Sequence, residues 1–375
     1  MRTSGTTAMH SSRVLPYDLG LLFPVLFLVG IGIVMIYSAS SALAMKKFGS
    51  DYYFLKKQLV FICLGIGALI VCRHIPYTFY RPLAYPLLAA GIIGLALLLW
   101  SPLGLTAGGA TRWLHFGGLN VQPSEFVRFA MVVYLADSLS RKQDQIRIFS
   151  IGFLPHVVVL GVFSVLMLME PDFGSVAILA AVTLVMLFAG GVRLVHLSAS
   201  MLVLLPAAYF LMIHAAYRLK RLMSFLNPWD YAADQGYQIV HSLMAFGTGG
   251  IWGTGIGKGY QKLFYLPEPH TDFIFSVIGE ELGLAGVLVI IGLYAAVLWR
   301  GIQIARRAPD VFGALMALGL TTAIGLQVCV NMGVALGLLP TKGLPLPFLS
   351  YGGTSLLLSM ASVGILMNIG ARSGM

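Results

Sequence analysis

Charged residues and cysteines are both scarce in this chain. Only 10% of its 375 residues are charged and 58% are hydrophobic, whereas an average soluble domain is about 25% charged. The three cysteines, Cys63, Cys72 and Cys329, fall in or at the end of apolar runs, without a CxxC partner or a histidine at metal-ligand spacing. These shortages exclude a soluble domain and give no sign of a disulfide or a metal centre, which leaves an integral membrane protein.

Long apolar runs fill most of the sequence. Since a bilayer crossing takes about 20 apolar residues, these runs predict an all-α integral membrane protein with about ten transmembrane helices, built as a single polytopic membrane domain over residues 1–375. The first run is far longer than the ~7–15 residues of a signal-peptide core, so it predicts a retained helix. The runs lie near residues 17–44, 55–72, 83–100, 121–138, 151–169, 173–190, 194–214, 271–299, 311–338 and 349–370.

One long loop, near residues 215–270, lies between the predicted helices 7 and 8. Residues 217–226 mix basic and apolar side chains as an interfacial helix does, and residues 236–246 are compatible with a helix. The glycine-rich stretch 247–259 predicts a flexible turn region.

The basic residues give the orientation. With both termini inside, twelve Lys and Arg lie inside and eleven outside. Long loops steer orientation weakly, and discounting the 215–270 loop leaves twelve against six, which favours cytoplasmic termini and an extracytoplasmic loop. The net charge of +10 is spread over short loops, which fits anionic lipid headgroups or a diphosphate better than nucleic acid.

An acid stands where this loop meets the next helix. Asp272 directly precedes the apolar run that begins at Phe273. A carboxylate at the edge of a membrane usually acts on a substrate, an ion or a proton. The alternative is an ordinary helix cap made by Thr271 or Asp272.

Glu280 lies within about 80° of Asp272 and roughly 12 Å further along the helix. It either lines the same cavity or, like its neighbour Glu281, forms a structural ion pair.

Two further segments carry polar groups into the membrane region. Glu125 and Arg128 can meet on one face of the fourth helix, either as a self-neutralising pair or as a substrate contact. Residues 340–347 contain three prolines and predict an extended or re-entrant stretch, which brings Lys342 near the face of Asp272. Gly352 and its following glycine open the last helix, either to receive an anion or to allow close helix packing.

Four motifs, taken in order, resemble the RodA/FtsW/SpoVE family, the SEDS proteins. They are Gln122 to Glu125, Pro267 to Phe275, Gly279 to Gly283 and Pro345 to Gly353. The resemblance covers nearly the whole chain. It implies a ten-helix bacterial cytoplasmic-membrane protein that polymerises lipid II into peptidoglycan strands and works with a class B penicillin-binding protein, the transpeptidase.

Other segments resemble the division branch of that family, FtsW, more than the elongation branch, RodA. They are Thr341 to Gly343, Asn227 to Asp230, Gln238 and Ser242 to Gly247. This resemblance implies a location at the division septum, with other divisome membrane proteins as partners and no nucleic acid.

The resemblance also implies a site. Asp272 occupies the position of the family's essential acid and is expected to be the general base for the acceptor GlcNAc 4-hydroxyl, with undecaprenyl pyrophosphate as the leaving group. No firm cofactor is implied, although a divalent cation, Mg²⁺ or Mn²⁺, would assist the few fixed cations. Arg218, Lys220 and Arg221 are expected to contact lipid headgroups. The residues expected to bind substrate are Arg112, Gln122, Ser124, Glu125, Arg128, His270, Thr271, Glu280, Lys342, Ser350, Tyr351 and Gly352.

Two positions depart from the family pattern. Phe264 stands where relatives often carry an acid, and Arg128 replaces a frequent lysine, which keeps the charge and changes its geometry. Two other functions use the same features: a lipid II flippase, which needs a headgroup path across both leaflets, and a non-catalytic scaffold for the transpeptidase, which would tolerate substitution of Asp272.

Overall fold

The computed structural model is dominated by long α-helices. It describes residues 17–102, 104–107, 110–116, 119–213, 216–234, 236–263 and 265–373. The helices are α1 (Leu19–Phe48), α2 (Tyr53–His74), α3 (Tyr80–Trp100), α4 (Pro123–Arg141), α5 (Leu154–Met169), α6 (Phe173–Ala189), α7 (Leu194–Ile213), α8 (Ala216–Leu226), α9 (Tyr237–Gly249), α10 (Ile274–Arg306), α11 (Val311–Ala335) and α12 (Gly353–Arg372).

Each of the ten predicted apolar runs overlaps one of these helices, so the helical membrane fold is confirmed. Among the described residues, seven helical segments are long and apolar enough to cross a membrane: those containing α1, α2, α3, α5, α10, α11 and α12. Residues Phe173–Ala189 and Leu194–Pro206 form shorter apolar helices. The total of ten crossings stays a prediction.

A small antiparallel sheet joins α3 to α4, and the sequence analysis did not foresee it. Its strands are β1 (Gly104–Ala107), β2 (Ala110–Phe116) and β3 (Leu119–Val121), in the order β1-β2-β3. The strands are three to seven residues long, which is too short to be detected as apolar runs of helical length. The sheet carries Arg112 on its middle strand, which fixes that residue relative to the helices.

Polar ties between α1 and α10 lie about one membrane thickness apart. Near the start of α1, Arg300 Nε donates to Asp18 Oδ2 at 2.9 Å. Further along, Ser38 Oγ donates to both carboxylate oxygens of Glu281 at 2.8 Å. The ties are 20 residues apart on α1, a rise of about 30 Å, which matches the thickness of the hydrocarbon core.

The long loop before α10 is more ordered than predicted. It contains α8, where the sequence predicted an interfacial helix, and α9, close to the predicted 236–246. The glycine-rich stretch that follows is pinned instead of flexible, because Thr254 N and Gly255 N donate to the carbonyls of Glu280 and Glu281 at 2.9 and 3.0 Å. These bonds form where α10 breaks at Gly283 (φ 65).

The proline-rich stretch before α12 is irregular, as predicted. Leu344, Leu346 and Phe348 are buried in the core, and the Tyr294 hydroxyl donates to the carbonyl of Pro347. A Cβ at Gly32 of α1 would lie 2.9 Å from the carbonyl oxygen of Phe348, so a glycine is required for this approach. The protein interior therefore supplies partners for backbone that no helix satisfies.

Candidate active site

Asp272 lies just before α10 and does not cap it. The residue at the cap position is Phe273, whose side chain makes no capping bond. The Thr271 hydroxyl donates to the carbonyl of Glu268 at 3.1 Å. The interpretation of this segment as an ordinary helix cap is therefore wrong, and the Asp272 carboxylate stays available for other contacts.

The backbone around Asp272 is held by α11 and by the proline-rich stretch. Asn331 Nδ2 donates to the carbonyl of Asp272 at 2.9 Å and to that of Leu344 at 2.6 Å. A Cβ at Gly343 would lie only 2.6 Å from Asp272 Oδ2. Asn331 thus ties two distant segments together, and the missing side chain at Gly343 leaves room for the carboxylate. Sequence reasoning did not single out either residue.

The pKa of the Asp272 carboxyl is raised to about 6. Burial is the main cause, and the negative charge of Glu268 acts in the same direction. The positive charges of Arg112 and Lys342 act in the opposite direction. A carboxylate whose pKa is close to the working pH is well suited to accept and release a proton.

A second acid, Asp172, lies beside the predicted cations. It stands between α5 and α6, is buried, and forms an ion pair with Lys342 Nζ. Arg112 Nε lies 3.8 Å from Asp172 Oδ1. Burial acts to raise the pKa of Asp172, but the charges of Lys342 and Arg112 outweigh it and lower that pKa. Asp172 was not predicted from the sequence, although an acid directly before an apolar helix is the same signal that identified Asp272.

Glu170 adds a protonated acid to this cluster. Burial and the charge of Asp172 raise its pKa to about 8, so it is mostly neutral at pH 7. Glu170 therefore adds little negative charge at pH 7 to the cations Arg112 and Lys342 that face Asp172.

A cavity of about 320 Å³ opens beside these cations. Arg112, Lys342 and Arg221 line its polar end, and Arg221 Nη1 donates to the carbonyl of Thr341 at 3.2 Å. Leu326, Val330 and the residues of α6 from Phe173 to Ala181 form most of its apolar wall. Lys342 borders this cavity while its neighbour Gly343 contacts Asp272, so the acid and the cavity are adjacent.

Glu125 and Arg128 form the self-neutralising pair that the sequence allowed. Arg128 Nη2 lies 3.1 Å from Glu125 Oε1, and Arg128 Nη1 donates to Gln327 Oε1 at 2.5 Å. Gln327 Nε2 in turn donates to the carbonyl of Pro345 at 2.9 Å and to Ser355 Oγ at 3.1 Å. This buried network connects α4, α11, α12 and the proline-rich stretch.

Glu280 and Glu281 are bound by the loop between α9 and α10. Glu280 Oε1 accepts the backbone N–H of Tyr260 at 2.7 Å and of Gln261 at 3.2 Å. Glu281 pairs with Lys262 Nζ at 2.5 Å. Both glutamates are thus engaged by the glycine-rich loop and its continuation. The predicted structural ion pair forms at Glu281, whereas the Glu280 carboxylate is held by backbone N–H groups instead of facing a cavity shared with Asp272.

His270 and the residues before α12 meet on the other side of the Asp272 segment. Tyr351 N donates to the carbonyl of His270 at 2.9 Å, and both rings contact Phe54. Burial and Lys47 lower the pKa of His270 to about 4, so its ring is neutral at pH 7. Ser350 Oγ accepts the N–H of Leu346 at 2.7 Å.

The remaining predicted positions are more dispersed. Gln122 Nε2 donates to Ser124 Oγ at 3.1 Å at the start of α4, and Gly352 precedes the first residue of α12. Lys220 is exposed on α8. Phe264 and the side chain of Arg218 lie outside the described residues.

The profile of the FtsW/RodA/SpoVE family, described as cell cycle proteins, matches residues 19–374. The chain belongs to this family. A relative from Trichlorobacter lovleyi, named probable peptidoglycan glycosyltransferase FtsW, is 51% identical over 360 residues, which cover 96% of this chain and 94% of the relative. Stage V sporulation protein E of Bacillus subtilis is 41% identical over 95% of this chain and 97% of its own length.

Solved structures agree with the family assignment. RodA of Thermus thermophilus, named a rod shape determining protein, matches with a TM-score of 0.72 at 29% identity, covering 96% of this chain and 99% of RodA. A chain from a peptidoglycan synthase complex, described as coordinating polymerization and crosslinking, matches with a TM-score of 0.78 at 29% identity, with the same coverage. A rod shape determining protein and a chain of a peptidoglycan synthase complex thus share this arrangement of helices.

Proposed function

We propose that this protein is a peptidoglycan glycosyltransferase that polymerises lipid II into β-1,4-linked glycan strands. The observation that carries the proposal is Asp272, a carboxylate with a pKa of about 6 beside a cavity with cations at one end. The names of full-length relatives, probable peptidoglycan glycosyltransferases, support the same activity.

The proposed reaction is a displacement at the donor sugar. Asp272 takes the proton of the acceptor GlcNAc 4-hydroxyl as its oxygen attacks the anomeric carbon of the donor. The bond from that carbon to the diphosphate oxygen breaks, and the electron pair leaves with undecaprenyl pyrophosphate. Attack opposite to the leaving group inverts the anomeric carbon, which gives the β-linkage.

Charge at the cavity suits the leaving group. Arg112, Lys342 and Arg221 surround a space that can receive the diphosphate, and neutral Glu170 does not oppose it. Fixed cations stabilise charge that develops on a departing diphosphate. Arg128 is engaged by Glu125 and Gln327, so we assign it to holding α4 against α11 rather than to the diphosphate.

The residues of this site do not fit a resident Mg²⁺ or Mn²⁺. Among the described residues, no group of three or more His, Cys, Asp or Glu side chains could hold a metal. Asp172 is paired with cations and Glu170 is protonated at pH 7. The proposed steps therefore use none of these residues as a metal ligand.

The remaining assignments follow from the family. We infer a class B penicillin-binding protein as partner, which is supported by the similarity to a chain of a peptidoglycan synthase complex. The FtsW names of the relatives favour the division septum and other divisome membrane proteins as its setting. We also propose that the protein lies in the bacterial cytoplasmic membrane with both termini in the cytoplasm.

The test is a lipid II polymerisation assay on the purified protein, with and without its cognate transpeptidase, reading glycan chains on a gel. Asp272→Asn should lower the rate by roughly 10²–10⁴-fold because the general base is lost. Asp234→Asn, at an exposed acid of the same loop, is the matched control and should keep the wild-type rate.

Polymer made by Asp272→Asn at the wild-type rate would contradict the base assignment. A correctly folded wild type that makes no polymer even with the transpeptidase, yet moves lipid II headgroups across vesicles, would establish the flippase instead. If neither activity is found while the transpeptidase still binds, the scaffold interpretation stands.

A further inference from the structure

A second apolar space continues from the cavity beside the cations. It is a groove of about 630 Å³ between α6 and α7, lined by Leu184, Val185 and Phe188 of α6 and by Leu194, Ser198 and Met201 of α7, among others. Ala181 lines both the cavity and this groove. The two spaces therefore share part of their lining at the middle of α6, which places them one after the other along this helix.

The joined path is longer than one leaflet of the membrane. Phe173 lines the cavity near its cationic end, and Phe188 lines the far part of the groove. These residues are 15 positions apart on one helix, a rise of about 22 Å. One leaflet of the hydrocarbon core is about 15 Å thick, so the path extends past the membrane midplane.

The lining of this path changes from cationic at the cavity to apolar in the groove. Arg112, Arg221 and Lys342 stand at one end, whereas Ser198 is the only polar side chain of the groove among the described residues, and its hydroxyl donates to the carbonyl of Val195 at 3.1 Å. A ligand that matches both ends has an anionic head and a single apolar chain longer than one leaflet. An acyl chain of an ordinary phospholipid does not reach past the midplane, but a long isoprenoid chain does.

We propose that the groove between α6 and α7 binds the polyprenyl chain of a polyprenyl diphosphate whose head occupies the cationic cavity. This inference rests on the proposed function and adds where the lipid carrier lies. It makes chain length a determinant of affinity, because only a chain that passes Ala181 gains the apolar contacts of the groove.

The test compares two probes, radiolabelled undecaprenyl diphosphate and farnesyl diphosphate, in equilibrium binding to the full-length protein in nanodiscs. Leu184→Trp and Ser198→Trp fill the groove from opposite walls. Each should weaken binding of undecaprenyl diphosphate about tenfold, a loss of about 1.4 kcal/mol, and leave farnesyl diphosphate unchanged. Val203→Trp, on α7 outside the groove and 69% exposed, should change neither.

Three results would overturn the inference: no preference of the wild type for the longer probe, wild-type affinity for both probes in both groove variants, or equal losses for the two probes. Should one variant fail to fold, the other still gives the comparison. The polymerisation assay on the same preparations separates the two proposals. Polymer without chain-length preference refutes the groove alone, and chain-length preference without polymer refutes the glycosyltransferase alone.

Discussion

At the scale of single residues, the pKa of Asp272 is raised mainly by burial and is adjusted by charged side chains from three separate segments. Glu268 is four residues away in sequence, whereas Arg112 and Lys342 come from the sheet and from the proline-rich stretch. Glu268 itself has a positive φ of 48°, a conformation that residues other than glycine rarely adopt and that often marks functional loops. The acid near the helix was visible in the sequence, but its surroundings were not.

The raised pKa predicts how polymerisation depends on pH. The base must be unprotonated, so the rate should fall as the pH drops through about 6, the pKa of Asp272. Glu268→Gln removes a charge that raises this pKa, so the midpoint should move to lower pH. The measurement is the polymerisation rate as a function of pH, at saturating lipid II, for the wild type and for Glu268→Gln.

His270 gives a check on that assignment. Its pKa of about 4 keeps the ring neutral near pH 6, so His270 should not contribute to the fall in polymerisation rate there. If the pH at which the rate is half-maximal is the same in Glu268→Gln as in the wild type, a group other than Asp272 controls the loss of rate at low pH.

Polymerisation is predicted to require a glycine at position 343, because a side chain there would collide with Asp272. A Cβ there would lie 2.6 Å from Asp272 Oδ2, so Gly343→Ala must displace the carboxylate or the backbone. A shift of about 1 Å at a reacting group costs on the order of 10²-fold in rate. Gly292→Ala on α10, where a Cβ meets nothing within 4 Å, should leave polymerisation unchanged, and equal activity of the two variants would refute the steric explanation.

At the scale of elements, the buried acids Glu280 and Glu281 act as a clamp on the loop between α9 and α10. Glu280 binds backbone N–H groups, and Glu281 contacts Ser38 of α1 and Lys262 of the loop. The clamped loop leads directly into the segment that carries Asp272. Two adjacent acids in an apolar helix thus hold a loop in place instead of acting on a substrate.

Removing one charge of this clamp should be costly. Glu281→Gln leaves Lys262 buried without its partner, which typically costs about 3–5 kcal/mol. Thermal unfolding in detergent should therefore show a clearly lower midpoint. Arg81→Gln breaks the more exposed pair with Asp310 and should cost about 0–1 kcal/mol. Similar midpoints for the two variants would mean that the clamp does not stabilise the fold.

At the scale of the whole molecule, the ties Asp18–Arg300 and Ser38–Glu281 place the two membrane boundaries on α1 and α10. With the proposed cytoplasmic termini, the turn between α10 and α11 is expected on the cytoplasmic side. The turn between α1 and α2 and the loop that carries Asp272 are then expected on the outer side. The two contacts give the spacing of the membrane boundaries, and the basic residues favour which side is cytoplasmic.

Cysteine labelling tests that orientation. In a background with Cys63, Cys72 and Cys329 replaced by serine, Ser50→Cys should react with a membrane-impermeant maleimide in intact cells. Ala308→Cys, in the turn between α10 and α11, should react only after permeabilisation. The opposite pattern would invert the topology and place Asp272 on the cytoplasmic side.

The sequence by itself determined the helical membrane fold and the position of one important acid. Hydropathy is a property of each local window, so the ten apolar runs were readable from composition, and the cost of a carboxylate at an apolar helix drew attention to Asp272. The irregular stretch after α11 followed from three prolines within eight residues, which together preclude a regular helix.

Only the tertiary structure decided which charges meet. Asp172 and Lys342 are 170 positions apart, and Gln327 joins Glu125 to Ser355 from three different helices. Whether a buried charge is paired, neutral or free to act depends on such contacts between distant segments, which no local pattern records. The short sheet that places Arg112 was missed for a related reason, since strands of this length are stabilised by pairing with each other.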